Sequence, residues 1–548
     1  MSVKRNLAFE IPLVGLLGIA VLGSTLAITR RSGDYKFFDE LIEVKSIISR
    51  QYVEEADEKK LKEGAIKGMV DALSDPYTIY VPPAEKREFN KDLTGEYVGI
   101  GAQVNTQTGY LVIVSPLEDS PAFRAGLMAD DKVLEIEGKT TKDLTVEQCV
   151  ELLSGQPGTK VNLLIERKGE KLPIIEITRD RIKTRSIKGY HRDDKDAEQW
   201  KFLIDPENKI AYVRMTQFTP NVANELFNAL RSVGADRGEL KGLVLDLRYN
   251  PGGLLSEAEA IADLFLPEGV IVSTRGRAFP ERVSRAEKDG TLPDFPMAVL
   301  LNGQSASASE VLAGALVENN RAIVVGSRSF GKGSVQSVLE VPGGNGSELK
   351  ITEQGYYLPS GRSITRKDTS PTWGVDPTEG FYVPITDKEV IAMFEVRRKQ
   401  EVLTAAGGQP GTDEKWDDSA WVLDRLKDKQ LTAAVDAIRG KISSGQWQAT
   451  GEKGVESGVI SGDELRLSRE YRERLLRELE RTETRIEAIE SGTKVAKKPD
   501  TTDLWDDTID LTDGHLEVRD KDGKVIAAFR ITGNRLERWL FDADLEKQ

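Results

Sequence analysis

Residues 301–310 read LNGQSASASE and set Ser305, Ser307 and Ser309 at alternate positions, where a strand-like run, MAVLLN, gives way to a helix-like one, ASEVLAGALVEN. Such a junction offers unpaired main-chain N–H groups and the positive end of a helix dipole. A serine there commonly caps the helix. The same geometry suits a nucleophile, because the oxyanion it creates needs N–H donors. A serine hydroxyl also needs a partner to take its proton. The chain holds two histidines, His191 in the polar GYHRDDKD and His515 in the distal tail. Neither has motif-like neighbours, which argues against a Ser-His-Asp triad.

A lysine can replace histidine if burial lowers its pKa from about 10.4 and keeps it partly neutral. Lys332 in SFGKGSVQS is the candidate, bracketed by Gly331 and Gly333 at a loop-to-strand transition. A solvated surface lysine is the ordinary reading of such a residue. Gln336 lies four residues on, along the same face of an extended segment. The third piece is LVLDLRYNPGGLL, a buried strand ending in Asn250-Pro251-Gly252-Gly253. Pro-Gly-Gly makes an ordinary tight turn, and it can also aim bare N–H groups at a reacting carbonyl oxygen.

The surrounding elements follow from periodicity. KIAYVRM, KGLVLDL, MAVLLNG and RAIVVGS are buried-strand runs alternating with the helical NVANELFNALRSV, SEAEAIADLF and SASEVLAGALVEN, as stacked β-α units do. KGSVQSVLEV and ELKITEQGYYLPSGRSI complete this region. Ahead of it, YVGIGAQV, YLVIVSP, KVLEIEG and KVNLLIERKG are short strands interrupted by SPAFRAG and TVEQCVELLSG, a compact α+β module. Residues 35–90 carry helical periodicity and close on DPYTIYVPP.

Lys4 and Arg5 precede an uncharged stretch, residues 11–28, that approaches the span of a hydrocarbon core. Its small-x-small cleavage signature is poor, so an uncleaved anchor with the bulk of the chain exported is expected over a signal peptide. The net charge of −14 argues against a nucleic-acid partner. One cysteine, Cys149, excludes an internal disulfide framework and is expected to be a small buried hydrophobe. Toward the C-terminus, AAGGQPGTDE is a linker and Ser461–Glu464 a capping-box pattern opening a charged helix to about residue 492. The broken heptad of that helix favours packing on its own domain over a coiled coil. HLEVRDKDGKVIAAFRI is expected to form a hairpin across Asp522-Gly523.

In combination these segments resemble the C-terminal processing peptidases, or tail-specific proteases, from about residue 35 to 440. GAIKGMVDALSDPYTIYV, GEYVGIGAQV, DSPAFRAGLMADDKVLEIEG, LDLRYNPGG, SASASEVLAGAL, RSFGKGSVQ and YYLPSGRSI occur in the family's order, with the lysine 25 residues beyond the middle serine. RKDTSPTWGVDP departs from the family's usual continuation. The resemblance implies a multidomain α/β protein, with an inserted PDZ domain and a ClpP/crotonase-like layered protease core. It makes Ser307 the nucleophile, Lys332 its general base and Gln336 the residue that orients the lysine. Gly252, Gly253 and the Ala308 amide would form the oxyanion hole, and Ser305 and Ser309 would be structural. Gly99, Ile100, Gly101 and Ala102 match the PDZ loop whose amides cradle a chain terminus.

The expected domains are a membrane anchor or signal segment (1–32), an N-terminal helical element (33–92), a PDZ domain (93–180) and a Ser-Lys protease core (181–388). A helical C-terminal region (389–500) and a β-hairpin tail (501–548), parts of an extension with no family match beyond about residue 440, complete the chain. The implied function is a serine endopeptidase of the cell envelope, on the extracytoplasmic side and held to the inner membrane by residues 11–28. Its partners would be proteins with apolar C-terminal tails, and its chemistry needs no metal or cofactor. The anchor and charged helix together suggest a membrane-tethered homo-oligomer. The alternative is a catalytically silent PDZ scaffold or chaperone, which predicts loss of Ser307 or Lys332; both are present.

Overall fold

The computed structural model describes residues 36–401 with short breaks (87, 90–94, 108, 184, 194–195, 197–198, 368–371), then 415–452, isolated positions between 469 and 483, and two later strands. The expected anchor at 11–28, the linker at 405–414 and most of the charged helix lie outside the described residues. Among the described residues, no helix is long and apolar enough to cross a membrane.

Four parallel strands, Ile210–Met215, Gly242–Asp246, Met297–Leu301 and Ile323–Gly326, lie side by side in that order. They are almost wholly apolar because both faces are covered. Leu243, Leu245 and Val299 pack with the helices Val222–Ser232, Leu255–Phe265 and Ala308–Glu318. The intervening Val244, Ala298 and Leu300 pack with Val435 and Ile438 of the helix Lys429–Ser444. That last helix closes the second face of the core sheet, although its sequence lies in the polar region after Pro384.

Three adjacent strands then release the three segments singled out in the sequence. Asp246 leads to Asn250–Gly253, Leu301 leads to the serines, and Gly326 leads to Lys332. All three leave from carboxyl ends, where open parallel sheets place their sites. A second sheet is built on the long strand Glu348–Tyr357, paired with Ser334–Glu340, Val270–Arg275 and Ile79–Val81.

The α+β module has its own core of Leu111, Ile113, Val133, Ile136, Val161, Leu163 and Ile165, with Cys149 fully buried among them. Its sheet runs Ala102–Gln107, Tyr110–Pro116, Lys132–Ile136, Lys160–Arg167, which leaves Ala102–Gln107 as an edge strand. The helix Val146–Leu153 opens on a Thr145–Gln148 capping box. In a separate unit of the chain, His515–Arg519 pairs antiparallel with Val525–Arg530, around turn residues outside the described set.

Candidate active site

Two hydrogen-bonding side chains fasten the serine segment to the Asn250 loop. Ser305 Oγ donates to Leu247 O at 2.9 Å and Ser309 Oγ to Asn250 O at 3.0 Å. Ser305 and Ser309 are thus structural, as expected. Between them Ser307 is buried and starts the helix Ala308–Glu318 with φ 56° and ψ −117°. A non-glycine residue in so sparsely populated a region costs about 1–3 kcal/mol and persists only where its surroundings hold it.

Glu310, fully buried, is a large part of that hold. Its Oε2 accepts the Ser307 N–H and the Lys332 N–H, each at 2.8 Å. Its Oε1 accepts from Ser329 Oγ and Gly331 N, each at 2.6 Å. Burial pushes this carboxyl up from the ordinary glutamate range, and the four donated hydrogen bonds pull it back. The signal for it was the Glu three residues beyond the capping serine, a capping-box spacing inside SASASE.

The lysine loop is packed where side chains would not fit. A Cβ at Gly331, whose φ is +93°, would fall 2.6 Å from Trp373, and one at Gly333 2.4 Å from Thr365 Oγ1. Ser329 Oγ also accepts from Val375 N at 2.7 Å, and Arg328 lies over the Trp373 ring at 4.3 Å. The departing segment RKDTSPTWGVDP thus supplies, through Trp373 and Val375, a wall for the lysine loop.

Lys332 itself is half-buried, and burial brings its pKa down to about 8. The nearby Lys350 adds to the drop, while Glu310 and Asp75 oppose it. Its Nζ lies 4.6 Å from the centroid of the Tyr77 ring, and no hydrogen bond joins it to Ser307 Oγ among the described residues. The Ser307 side chain instead hydrogen-bonds Tyr356. Gln336 Nε2 donates to Ser334 Oγ at 2.7 Å and to Thr352 Oγ1 at 3.3 Å, not to Lys332. His191 stacks on Trp416, with centroids 3.8 Å apart, and its Nδ1 bonds Gln400. The imidazole is therefore held away from the serine.

Asn250 shapes the glycine turn. Its Nδ2 donates to Met215 O and its Oδ1 accepts Gly252 N, both at 2.9 Å. The Gly252 N–H is therefore already spent, which corrects its expected part as an oxyanion donor. Gly252 matters through its shape: at φ +98° a Cβ would sit 2.7 Å from Ala306 O and 2.8 Å from Ser307 Cβ. Gly253 N and Ala308 N make no hydrogen bond within the described chain. A few residues back, the motif's charged residues enter a buried cluster. Arg248 bonds Asp246 at 2.7 Å and Asp428 at 2.6 Å, and Arg397 bonds both carboxylates at 2.9 Å. Tyr212 donates to Asp246 at 2.8 Å. Burial opposes ionisation of Asp246, but Arg248 and Arg397 hold its carboxyl well below the usual carboxylate range.

In the smaller module, the Ile100 and Gly101 carbonyls accept from Ala122 N at 2.8 Å and Leu117 N at 2.9 Å. Gly99 ends the strand Glu96–Gly99, and Ala102 begins the edge strand. The loop is thus tied down by its carbonyls, and the amides of Ile100 and Gly101 have no acceptor among the described residues.

A layered α/β core that brings a buried serine and a half-buried lysine together beside an inserted α+β module is the architecture of a peptidase class, and comparison with known proteins agrees. The family model described as "Peptidase family S41" matches residues 209–379, "PDZ domain" matches 112–167, and "Activating protease CtpB N-terminal domain" matches 28–83. A carboxy-terminal-processing protease of Bartonella bacilliformis is 34% identical over 78% of this chain and 93% of its own length. The carboxy-terminal processing protease CtpA of Bacillus subtilis is 30% identical over 81% of this chain and 87% of its own. A solved photosystem II D1 C-terminal processing protease shares 24% identity over 63% of this chain and 86% of its own, with a TM-score of 0.36. The chain belongs to the carboxy-terminal processing proteases of peptidase family S41.

Proposed function

We propose that the protein is a serine endopeptidase that takes hold of protein C-terminal tails through its PDZ domain and cleaves with a Ser307–Lys332 dyad. The observation that carries this reading is Glu310, which ties the backbone of the strained serine to that of a lysine whose pKa burial has brought to about 8. Neutral Lys332 takes the Ser307 proton as Oγ bonds to the scissile carbonyl carbon. The free amides of Gly253 and Ala308 hold the oxyanion. Collapse breaks the C–N bond, the lysine returns the proton to the leaving amine, and water hydrolyses the acyl-enzyme. To reach the serine, Nζ turns from the Tyr77 ring on its flexible four-carbon stem; hydrogen bonds of this kind often tighten only when substrate is bound. Gln336 orients the lysine indirectly, through Thr352.

Tail binding is supported by the unpaired edge strand Ala102–Gln107 and the free amides beside it, to which a peptide strand and its terminal carboxylate would add. The protein works on the extracytoplasmic side of the envelope, held to the membrane by residues 11–28 and assembled as a homo-oligomer.

The test is to incubate the purified full chain with an unfolded protein bearing an apolar C-terminal tail, and with the same protein bearing a charged one. Cleavage by the unaltered enzyme alone, faster on the apolar tail and absent in Ser307→Ala and Lys332→Ala, is the expected result. Cleavage by both variants would overturn the dyad. Binding of tails without any cleavage would leave a scaffold.

A further inference from the structure

The segment DPYTIYV closes the N-terminal helical element in sequence, yet its residues meet the lysine loop. The strand Ile79–Val81 pairs antiparallel with Glu348–Lys350 and sets Ile79 opposite Lys350. The turn before it is locked by Asp75, which accepts from Tyr77 N at 3.1 Å and from Thr78 Oγ1 at 2.6 Å. Thr78 Oγ1 in turn accepts Thr352 N at 3.1 Å, and the Thr352 side chain also bonds Asp75. Thr352 and Lys350, two apart on one strand, share a face. Thr352 also receives Gln336 Nε2, so one continuous network runs from Gln336 through Thr352 to Asp75. Tyr77 lies between this network and Lys332, with its ring under Nζ.

We infer that Asp75 and Lys350 are positioning residues for Lys332: Asp75 locks the turn whose Tyr77 ring lies under Nζ, and Lys350 stands on the strand paired with that turn's exit. The inference rests on the Ser307–Lys332 reading. The groups facing Lys332 are Tyr77 and Asp75 from the turn, Lys350 from the strand and Glu310 from the helix. Tyr77 is neutral, since burial pushes its phenol up. Asp75 and Glu310 favour the charged lysine, and Lys350 disfavours it. Asp75 stays ionised because the hydrogen bonds from Thr352, Thr78 and Tyr77 outweigh its burial. Burial first, and a second ammonium on the neighbouring strand next, keep the half-buried base readily deprotonated, as a lysine beside a second cation is elsewhere.

The test is the pH profile of kcat/KM for the full-length enzyme and for Asp75→Asn and Lys350→Met. Asparagine keeps the acceptor for Tyr77 N, removes the charge and turns an amide toward Thr78 Oγ1, which the Lys350→Met variant leaves untouched. The acid limb should move to lower pH in Asp75→Asn and to higher pH in Lys350→Met, each by roughly half a unit or more. The double variant should return toward the original. Either sign can be read from one variant if the other fails to fold. Rates that fall while both limbs stay in place would make these residues merely structural and overturn the inference. Activity surviving in Lys332→Ala would instead remove the dyad itself, a separately readable failure.

Discussion

Ser307 and Lys332 are tied together by a third residue: Glu310 Oε2 accepts the main-chain N–H of both, each at 2.8 Å. The separation of the two residues is therefore fixed at the backbone, and the proposed proton transfer asks only that the lysine side chain turn from Tyr77 to the serine. Glu310→Gln would turn an amide group toward donors and leave at least one of them unpaired. We expect a loss of roughly 2–4 kcal/mol of stability. Misplacement of the dyad should lower kcat by about 100-fold or more. Denaturant unfolding and steady-state kinetics on the same preparation check both.

The base sets the pH dependence. On the proposed dyad only neutral Lys332 takes the serine proton, so kcat/KM should rise with pH through a midpoint of about 8 and then level off. At pH 7 roughly a tenth of the lysine would be neutral, against well under a thousandth for an ordinary exposed lysine. A profile flat from pH 6 to about 9, measured where the fold is intact, would contradict the assignment.

Gly252 tests the shape of the turn rather than its hydrogen bonding. Gly252→Ala meets both a positive φ and backbone atoms closer than any Cβ tolerates. Pushing Ala306 and Ser307 aside should lower kcat by about 100-fold, with KM changed little.

Arg248→Met would leave Asp246 and Asp428 with Arg397 as their one close cation, and should cost roughly 3–5 kcal/mol. Thermal unfolding checks it. Because the Asp246 pKa is depressed in the fold, its contribution is complete above the ordinary carboxylate pKa and is lost only as pH falls through the lower folded value. The unaltered cluster should therefore add no pH dependence near neutrality.

In the PDZ domain a Cβ at Gly101, whose φ is +75°, would lie 2.4 Å from Ser120 Cβ. Gly101→Val should distort the loop proposed to hold a terminal carboxylate. Affinity for an apolar-tailed peptide, measured by fluorescence anisotropy, is expected to fall by about tenfold or more.

The strands and helices of the core were legible because apolar runs such as GLVLD and MAVLL carry their burial in their composition. Spacing alone makes Ser307 an ordinary cap and Lys332 an ordinary surface lysine; the order of the motifs, SASASE followed by FGKG, and the resemblance they carry single out the pair. Glu310 was half visible, as a capping-box residue whose reach to the lysine loop only the fold reveals. Asp75, Tyr77 and Lys350 were invisible as a group, because strand pairing brings them together from positions more than 270 residues apart. Asp428 and Arg397 sit in a polar stretch that looks solvated, and nothing local distinguishes a buried ion pair from a surface one. The bond from Gly252 N to Asn250 Oδ1 was likewise a matter of geometry alone.

The cluster beneath the oxyanion turn also bears on timing. Arg248 finds Asp428 180 residues later in the chain. Until the helix Lys429–Ser444 has docked, the Asn250–Gly253 turn stands on an incomplete set of charges and one face of the core sheet is uncovered. A chain still being synthesised thus carries Ser307 and Lys332 long before the fold around them is complete. Among the described residues, the last helix of the core is thus the one that completes the support beneath the Asn250–Gly253 turn.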